Sequence, residues 1–133
     1  MVSYVSSAEG IHHDQLTGGF FVGWPVKPSP QRHLELLRGS YAVELGLDAG
    51  RVIGFATAIS DGVVSAYVPL LEVLPEYQGQ GIGTELIGRL VARLEGLYMI
   101  DLSCDANLEG FYERLGFRPL DRAMGQRNRD NLG

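Results

Sequence analysis

Leu71-Glu-Val-Leu-Pro-Glu-Tyr-Gln-Gly-Gln-Gly-Ile-Gly83 decides how this chain is read. An apolar run ends at Pro75, and three glycines follow within five residues: Gly79, Gly81 and Gly83. A helical pattern begins at once, with Leu86, Ile87, Leu90, Val91 and Leu94 on one face. Glu85 and Arg89 form a favourable i, i+4 pair, and Gly96 marks the end. Glycine at a strand-to-helix turn lets the backbone approach a ligand, while the first free N–H groups of the helix point outward. That end carries roughly half a positive charge, so a phosphate or pyrophosphate is its natural guest. The alternative is a tight turn with no ligand, but three glycines exceed what a turn needs. A dinucleotide G-x-G-x-x-G fails, because counting from Gly79 ends on Thr84 and from Gly81 on Leu86. A Walker A loop fails as well, since the only lysine is Lys27.

Working outward toward the N-terminus, Val64 to Leu74 reads as a strand that Pro69 interrupts with a bulge or an unpaired edge. Asp61-Gly62 signals a two-residue hairpin back to a strand from Arg51 to Ile59. Asp48-Ala-Gly50 turns into that strand from another, in which Tyr41, Val43, Leu45 and Leu47 alternate as a half-buried strand does. Ser29 and Pro30 read as N-cap and first turn of a helix through Leu34, Leu37 and Arg38, stopped by Gly39. Before it lies an irregular segment with Phe20, Phe21 and Trp24 among glycines and prolines. On the C-terminal side, Tyr98 to Cys104 reads as a buried strand. Leu108, Phe111, Tyr112 and Leu115 mark a short helix ended by Gly116, and a final extended segment follows. Hairpins first, then strand–helix–strand–helix–strand, is an α+β or mixed α/β order.

The composition agrees with one ordinary domain over residues 1–133. The apolar fraction is 45%, and the 18 glycines follow no collagen-like period. A net charge of −5 argues against nucleic acid, which wants a basic footprint. The start has no basic or apolar leader pattern, and Ala66 to Leu74 is too short to span a bilayer. The lone Cys104 permits no intrachain disulfide, which suits a cytoplasmic location, and reads as a buried small residue rather than a nucleophile. His12, His13 and His33 have no motif support and read as surface or packing residues, so no metal site is expected.

The spacing that does fit the glycine turn is Q/R-x-x-G-x-G/A, met by Gln78, Gly81 and Gly83. Here the sequence resembles the GNAT superfamily of acetyl-CoA-dependent N-acetyltransferases. A second block, Phe111-Tyr-Glu-Arg-Leu-Gly-Phe117, is similar to that family's helix before its last strands. The resemblance covers about two thirds of the chain, from Tyr41 to the end, and implies a central, mostly antiparallel sheet with splayed middle strands flanked by helices.

What the resemblance implies extends to residues. The turn amides of Gln78, Gly79, Gln80, Gly81, Ile82, Gly83 and Thr84 hold the coenzyme pyrophosphate. The pantetheine arm pairs with the main chain of Val73 and Leu74, where an N–H polarises the thioester carbonyl. Tyr112 protonates the departing thiolate; its alternative is core packing. The family's coenzyme-contacting asparagine falls on Asp105, with Asn107 nearby as a substitute, and either residue equally reads as a helix cap. The family's strand base falls on Tyr67 or Pro69, neither of them competent at neutral pH. Glu72 is the remaining candidate on that strand, with Asp101 and Asp105 on the next. An amine of pKa near 10 must lose a proton before attack, and a buried carboxylate of raised pKa can accept it. The structural alternative pairs Glu72 with an arginine such as Arg127. Phe20, Phe21 and Trp24 fall where the family forms a wall over its acceptor, or else they staple the N-terminus. The implied activity is acetyl transfer from acetyl-CoA to a primary amine by direct attack in a ternary complex. A non-catalytic acyl-CoA sensor of the same fold is the rival, and a homodimer follows only from family habit.

Overall fold

The computed structural model describes residues 1–132. Five strands form one sheet in sequential order: β1 (Ser3–Val5), β2 (Ala42–Asp48), β3 (Arg51–Ser60), β4 (Ser65–Val73) and β5 (Met99–Leu102). The first four pair antiparallel, and only β4 and β5 run parallel. The parallel pair needs a crossover, which α2 (Ile82–Arg93) supplies. Helix α1 (Pro30–Gly39) precedes β2, and α3 (Glu109–Glu113) follows β5.

Local chemistry accounts for most boundaries. Ser29 caps α1 through its hydroxyl, which accepts from the Arg32 amide, and Pro30 occupies the first turn. Ala49 and Gly50, both at positive φ, make the β2–β3 turn. The Asp61-Gly62 connection is longer than two residues: β4 begins only at Ser65. The Asp61 carboxylate gathers the amides of Val63, Val64 and Ser65, which closes the loop and holds its pKa below the ordinary value.

Three expectations are corrected. Strand β2 is buried on both faces from Ala42 to Gly46. One face carries Val43 and Leu45; the other holds Ala42 and Glu44, whose carboxylate Arg93 Nη1 meets at 2.9 Å. Strand β5 is the opposite case, a short and half-exposed edge rather than a buried strand. No final strand forms after Gly116 among the described residues. Arg118-Pro-Leu-Asp-Arg carries too little apolar surface to join the sheet, and the segment from Arg118 to Asn131 is exposed.

The core lies between sheet and helices on both faces. On one side Leu86, Ile87 and Leu90 of α2 pack on β3. Gly54 permits this approach, since a Cβ there would stand 2.9 Å from Leu86 and 3.2 Å from the Glu72 carbonyl. On the other side Leu34, Leu37 and His33 of α1 join Phe20, Phe21 and Phe55.

Candidate active site

The site begins with Pro69. The register between β3 and β4 slips between Thr57 and Ile59, placing Val68 and Pro69 opposite one residue, Ala58. This is the bulge that the proline implied. The β4–β5 pairing stops at the same place, with Val68 against Leu102. From Pro69 to Val73, β4 therefore keeps β3 on one side and has no strand on the other. The Leu74 amide donates to the Ile53 carbonyl at 2.9 Å, so by alternation the amides of Leu71 and Val73 face the open edge. Leu74 itself is fully buried with its N–H committed to β3. The pair available to a ligand is thus Leu71 and Val73, not Val73 and Leu74.

The glycine turn sits at the end of this edge. Gly79 and Gly81 adopt φ of 78° and 81°, a conformation that favours glycine, and a Cβ on either would meet nothing within 4 Å. These glycines are therefore set by backbone conformation and lie against open space, as a ligand cradle requires. Gly81 is the N-cap of α2 and provides no side-chain cap. The first intrahelical bond runs from Glu85 N to Gly81 O, leaving the Ile82, Gly83 and Thr84 amides at the helix N-terminus for a guest. The turn is anchored by Tyr77, whose hydroxyl donates to Asp48 Oδ2 at 2.5 Å, and by the Gln78 amide group, which donates to the Val73 carbonyl.

A cleft of about 430 Å³ joins this turn to the open edge and to α3. Of the expected coenzyme residues, Val73, Gln78, Gly79 and Gly81 line it, as do Ile82, Gly83, Thr84 and Tyr112. Leu74, Gln80 and Asn107 do not. Leu71, Tyr77, Leu108 and Phe111 line it as well and were not expected. Leu71 follows from strand alternation with Val73, whereas helical period places Leu108 and Phe111 only on the packing face of a short helix. Asp105 starts the 3-10 turn before α3 without a side-chain cap.

Tyr112 reaches the cleft from α3, wedged edge-to-face between Phe111 and Phe117 at 5.0 and 5.8 Å. Burial raises its pKa, and the Cys104 thiol nearby adds to the rise. The phenol is thus a firm proton holder beside the cleft. Cys104 is exposed, contrary to the expectation of a buried residue.

Glu72 lies on the other face of β4, in register with Phe55. Burial raises its pKa, partly offset by the hydrogen bond it accepts from the Phe21 amide at 2.8 Å. Its partner is that amide and not Arg127, which bonds the Gln126 carbonyl. Phe20 and Phe21 are buried against His33 and Phe55, and Trp24 stays partly exposed on Phe21. His33 has its pKa lowered to about 4 by burial, so the ring is neutral at physiological pH. His12, His13 and Asp14 form a cluster near the surface in which His12 caps the following turn. It stands apart from the cleft residues.

The arrangement has two sides. The glycine turn, the α2 N-terminus and the Tyr112 phenol line the cleft on the α2 face. Glu72, a carboxylate of raised pKa that does not line the cleft, lies on the α1 face. Comparison with known proteins gives the class. The model of the GNAT acetyltransferase domain matches residues 39–119. The histone acetyltransferase TAP1 of Glycine max is 35% identical over 109 residues, 72% of this chain and 47% of that protein. A crystal structure of a candidate acetyltransferase from Deinococcus radiodurans R1 is 41% identical, covers 98% of this chain and 91% of that one, and superposes with a TM-score of 0.94. Aminoglycoside N-acetyltransferase AAC(6')-Iy, solved in complex with CoA, shares the fold at a TM-score of 0.68 and 20% identity, covering 97% and 95% of the two chains.

The chain belongs to the GNAT acetyltransferase family. It spans about half the length of the curated relative from Glycine max. The fold expectation holds: a mixed five-stranded sheet, mostly antiparallel, with helices on both faces.

Proposed function

We propose that the protein transfers an acetyl group from acetyl-CoA to a primary amine by direct attack in a ternary complex. One observation carries the reading: a single cleft connects the glycine turn, the unpaired edge of β4 and the Tyr112 phenol. The turn amides from Gln78 to Thr84 suit a pyrophosphate, because fixed amide dipoles let an acidic protein bind an anion without lysines. Acetyl-CoA supplies the acetyl group as a thioester. The open amides of Leu71 and Val73 hold the extended pantetheine arm as an added strand would be held, and one of them donates to the thioester oxygen.

Glu72 removes the proton that the ammonium form of the acceptor must lose, directly or through one water. The amine nitrogen then bonds the carbonyl carbon as the carbon–sulfur bond breaks. The Tyr112 phenol gives its proton to the leaving thiolate, and the second proton that the new amide nitrogen sheds returns through water to the phenolate. A phenol ordinarily near 10 and raised further by burial gives its proton to a thiolate ordinarily near 8.5 against the acidity difference, so placement beside the sulfur matters more than acidity. A carboxylate facing the acceptor also favours a cationic amine over a neutral alcohol.

The test is acetyl-CoA consumption across four amines: a lysine peptide, spermidine, tryptamine and kanamycin. Acetylated product, identified by mass, supports the reading. Tyr112→Phe is expected to lower single-turnover acetyl transfer by about tenfold to a hundredfold while coenzyme affinity stays within about twofold. Coenzyme binding without thiol release for any amine would instead identify a sensor.

A further inference from the structure

Phe21 and Glu72 stand 51 residues apart and are joined by one hydrogen bond, from the Phe21 amide to Glu72 Oε1 at 2.8 Å. Phe21 holds φ at 64°, in the left-handed region that a bulky side chain rarely adopts. Its neighbours Gly19 and Gly23, at φ of 98° and 84°, have no side chain to oppose that conformation. The Phe21 ring is buried, with Trp24, His33 and Phe55 at centroid distances of 5.0, 4.9 and 6.0 Å. The Trp24 amide in turn bonds the Phe21 carbonyl, which tightens the turn. A phenylalanine kept at positive φ is informative: packing over-determines the ring, and the strained backbone aims one N–H at one carboxylate.

We propose that the Phe21 amide is a positioning group for Glu72, fixing the carboxylate so that it faces the acceptor amine with the oxygen the amide leaves free. This rests on the reading of Glu72 as the proton acceptor. Among the described residues Glu72 has no other protein hydrogen-bond donor, which leaves its second oxygen without a protein partner. The amide fixes one oxygen of a side chain that would otherwise sample several rotamers, and an aimed base is worth more than a mobile one. It also favours the ionised carboxylate where burial opposes it. The groups around the pair are apolar or neutral: Phe55 faces Glu72 from β3, and His33 of α1 is uncharged above about pH 4. No charged neighbour contributes to the Glu72 shift.

The experiment replaces the Phe21 amide by an ester, using the α-hydroxy analogue of phenylalanine at this position, which deletes the N–H and keeps the ring. Three proteins are compared with the native one: the ester variant, Phe21→Leu and Glu72→Gln. The readouts are single-turnover acetylation of the best amine of the panel against pH, and the Glu72 carboxyl titration by ¹³C NMR. In the ester variant the Glu72 pKa and the ascending limb of the rate profile are expected to rise together by about one unit, with the plateau rate about tenfold lower. Phe21→Leu keeps the N–H but loosens the ring packing that aims it, and is expected to raise both pKa values by less than the ester does. An unshifted ester variant alongside an inactive Glu72→Gln would overturn the positioning role and leave the base reading standing. A fully active Glu72→Gln would remove the base reading, and the proposal with it.

Discussion

At the residue scale, the proposed function rests on backbone as much as on side chains. In that proposal Gly79 and Gly81 would serve through φ, Leu71 and Val73 through open amides, and Phe21 through one N–H. The glycines were legible in the sequence because no other residue adopts their conformation cheaply. Glu72 was visible as a candidate, but its partner was not, since nothing in local pattern relates positions 21 and 72. His33 was equally opaque: only the packed structure shows a ring sealed among three phenylalanines with Nε2 unpaired. Burial lowers its pKa from the ordinary 6.5 to about 4, so the unfolded chain binds the proton more readily than the folded one. His33 therefore supports full stability above pH 6.5 and withdraws it as pH falls toward 4. The loss should approach about 3 kcal/mol, since each pKa unit is worth about 1.4 kcal/mol. Urea denaturation between pH 7 and 4 checks this. Stability falling equally steeply in His33→Phe would show that other groups cause the loss.

At the element scale, the helices and the β2–β3–β4 hairpins follow from caps, turn residues and period. The Pro69 bulge follows from the missing N–H. Failures occurred where tertiary context decides. Alternation in β2 suggested one solvent-facing side, but Arg93 of α2 neutralises Glu44 there, and a charge becomes core. This ion pair ties the C-terminal end of α2 to β2, and Arg93 Nη1 also bonds the Val43 carbonyl at 2.7 Å. Since the proposed anion cradle lies at the other end of α2, the pair holds the helix on which that site is built. Arg93→Ala leaves a fully buried carboxylate with only the Ser6 hydroxyl as donor, and should cost about 3 kcal/mol by chemical denaturation. A loss below about 1 kcal/mol would mean that Glu44 finds water or a proton instead, and that the pair does not hold the helix.

At the scale of the whole molecule, the pairing of β4 and β5 ends at Val68 and Leu102, and the cleft opens beside the unpaired part of β4. The proposed coenzyme elements sit on the α2 side and the proposed base on the α1 side. The order of elements and the two motif blocks exposed this plan in the sequence, while the last expected strand did not form because its residues lack an apolar face. The central claim is that the Gln78–Thr84 turn holds the coenzyme pyrophosphate. Gly83 offers a clean probe, because a Cβ there meets only Phe111 and Val73 at 3.8 Å. An aspartate in the first turn of a helix also favours the fold. Calorimetric titration with CoA of the native protein and of Gly83→Asp, both with native circular dichroism, is the most direct measurement. The account predicts saturable one-to-one binding that Gly83→Asp weakens by about a hundredfold or more, as negative charge enters the cradle. Equal affinity in the two proteins would contradict it.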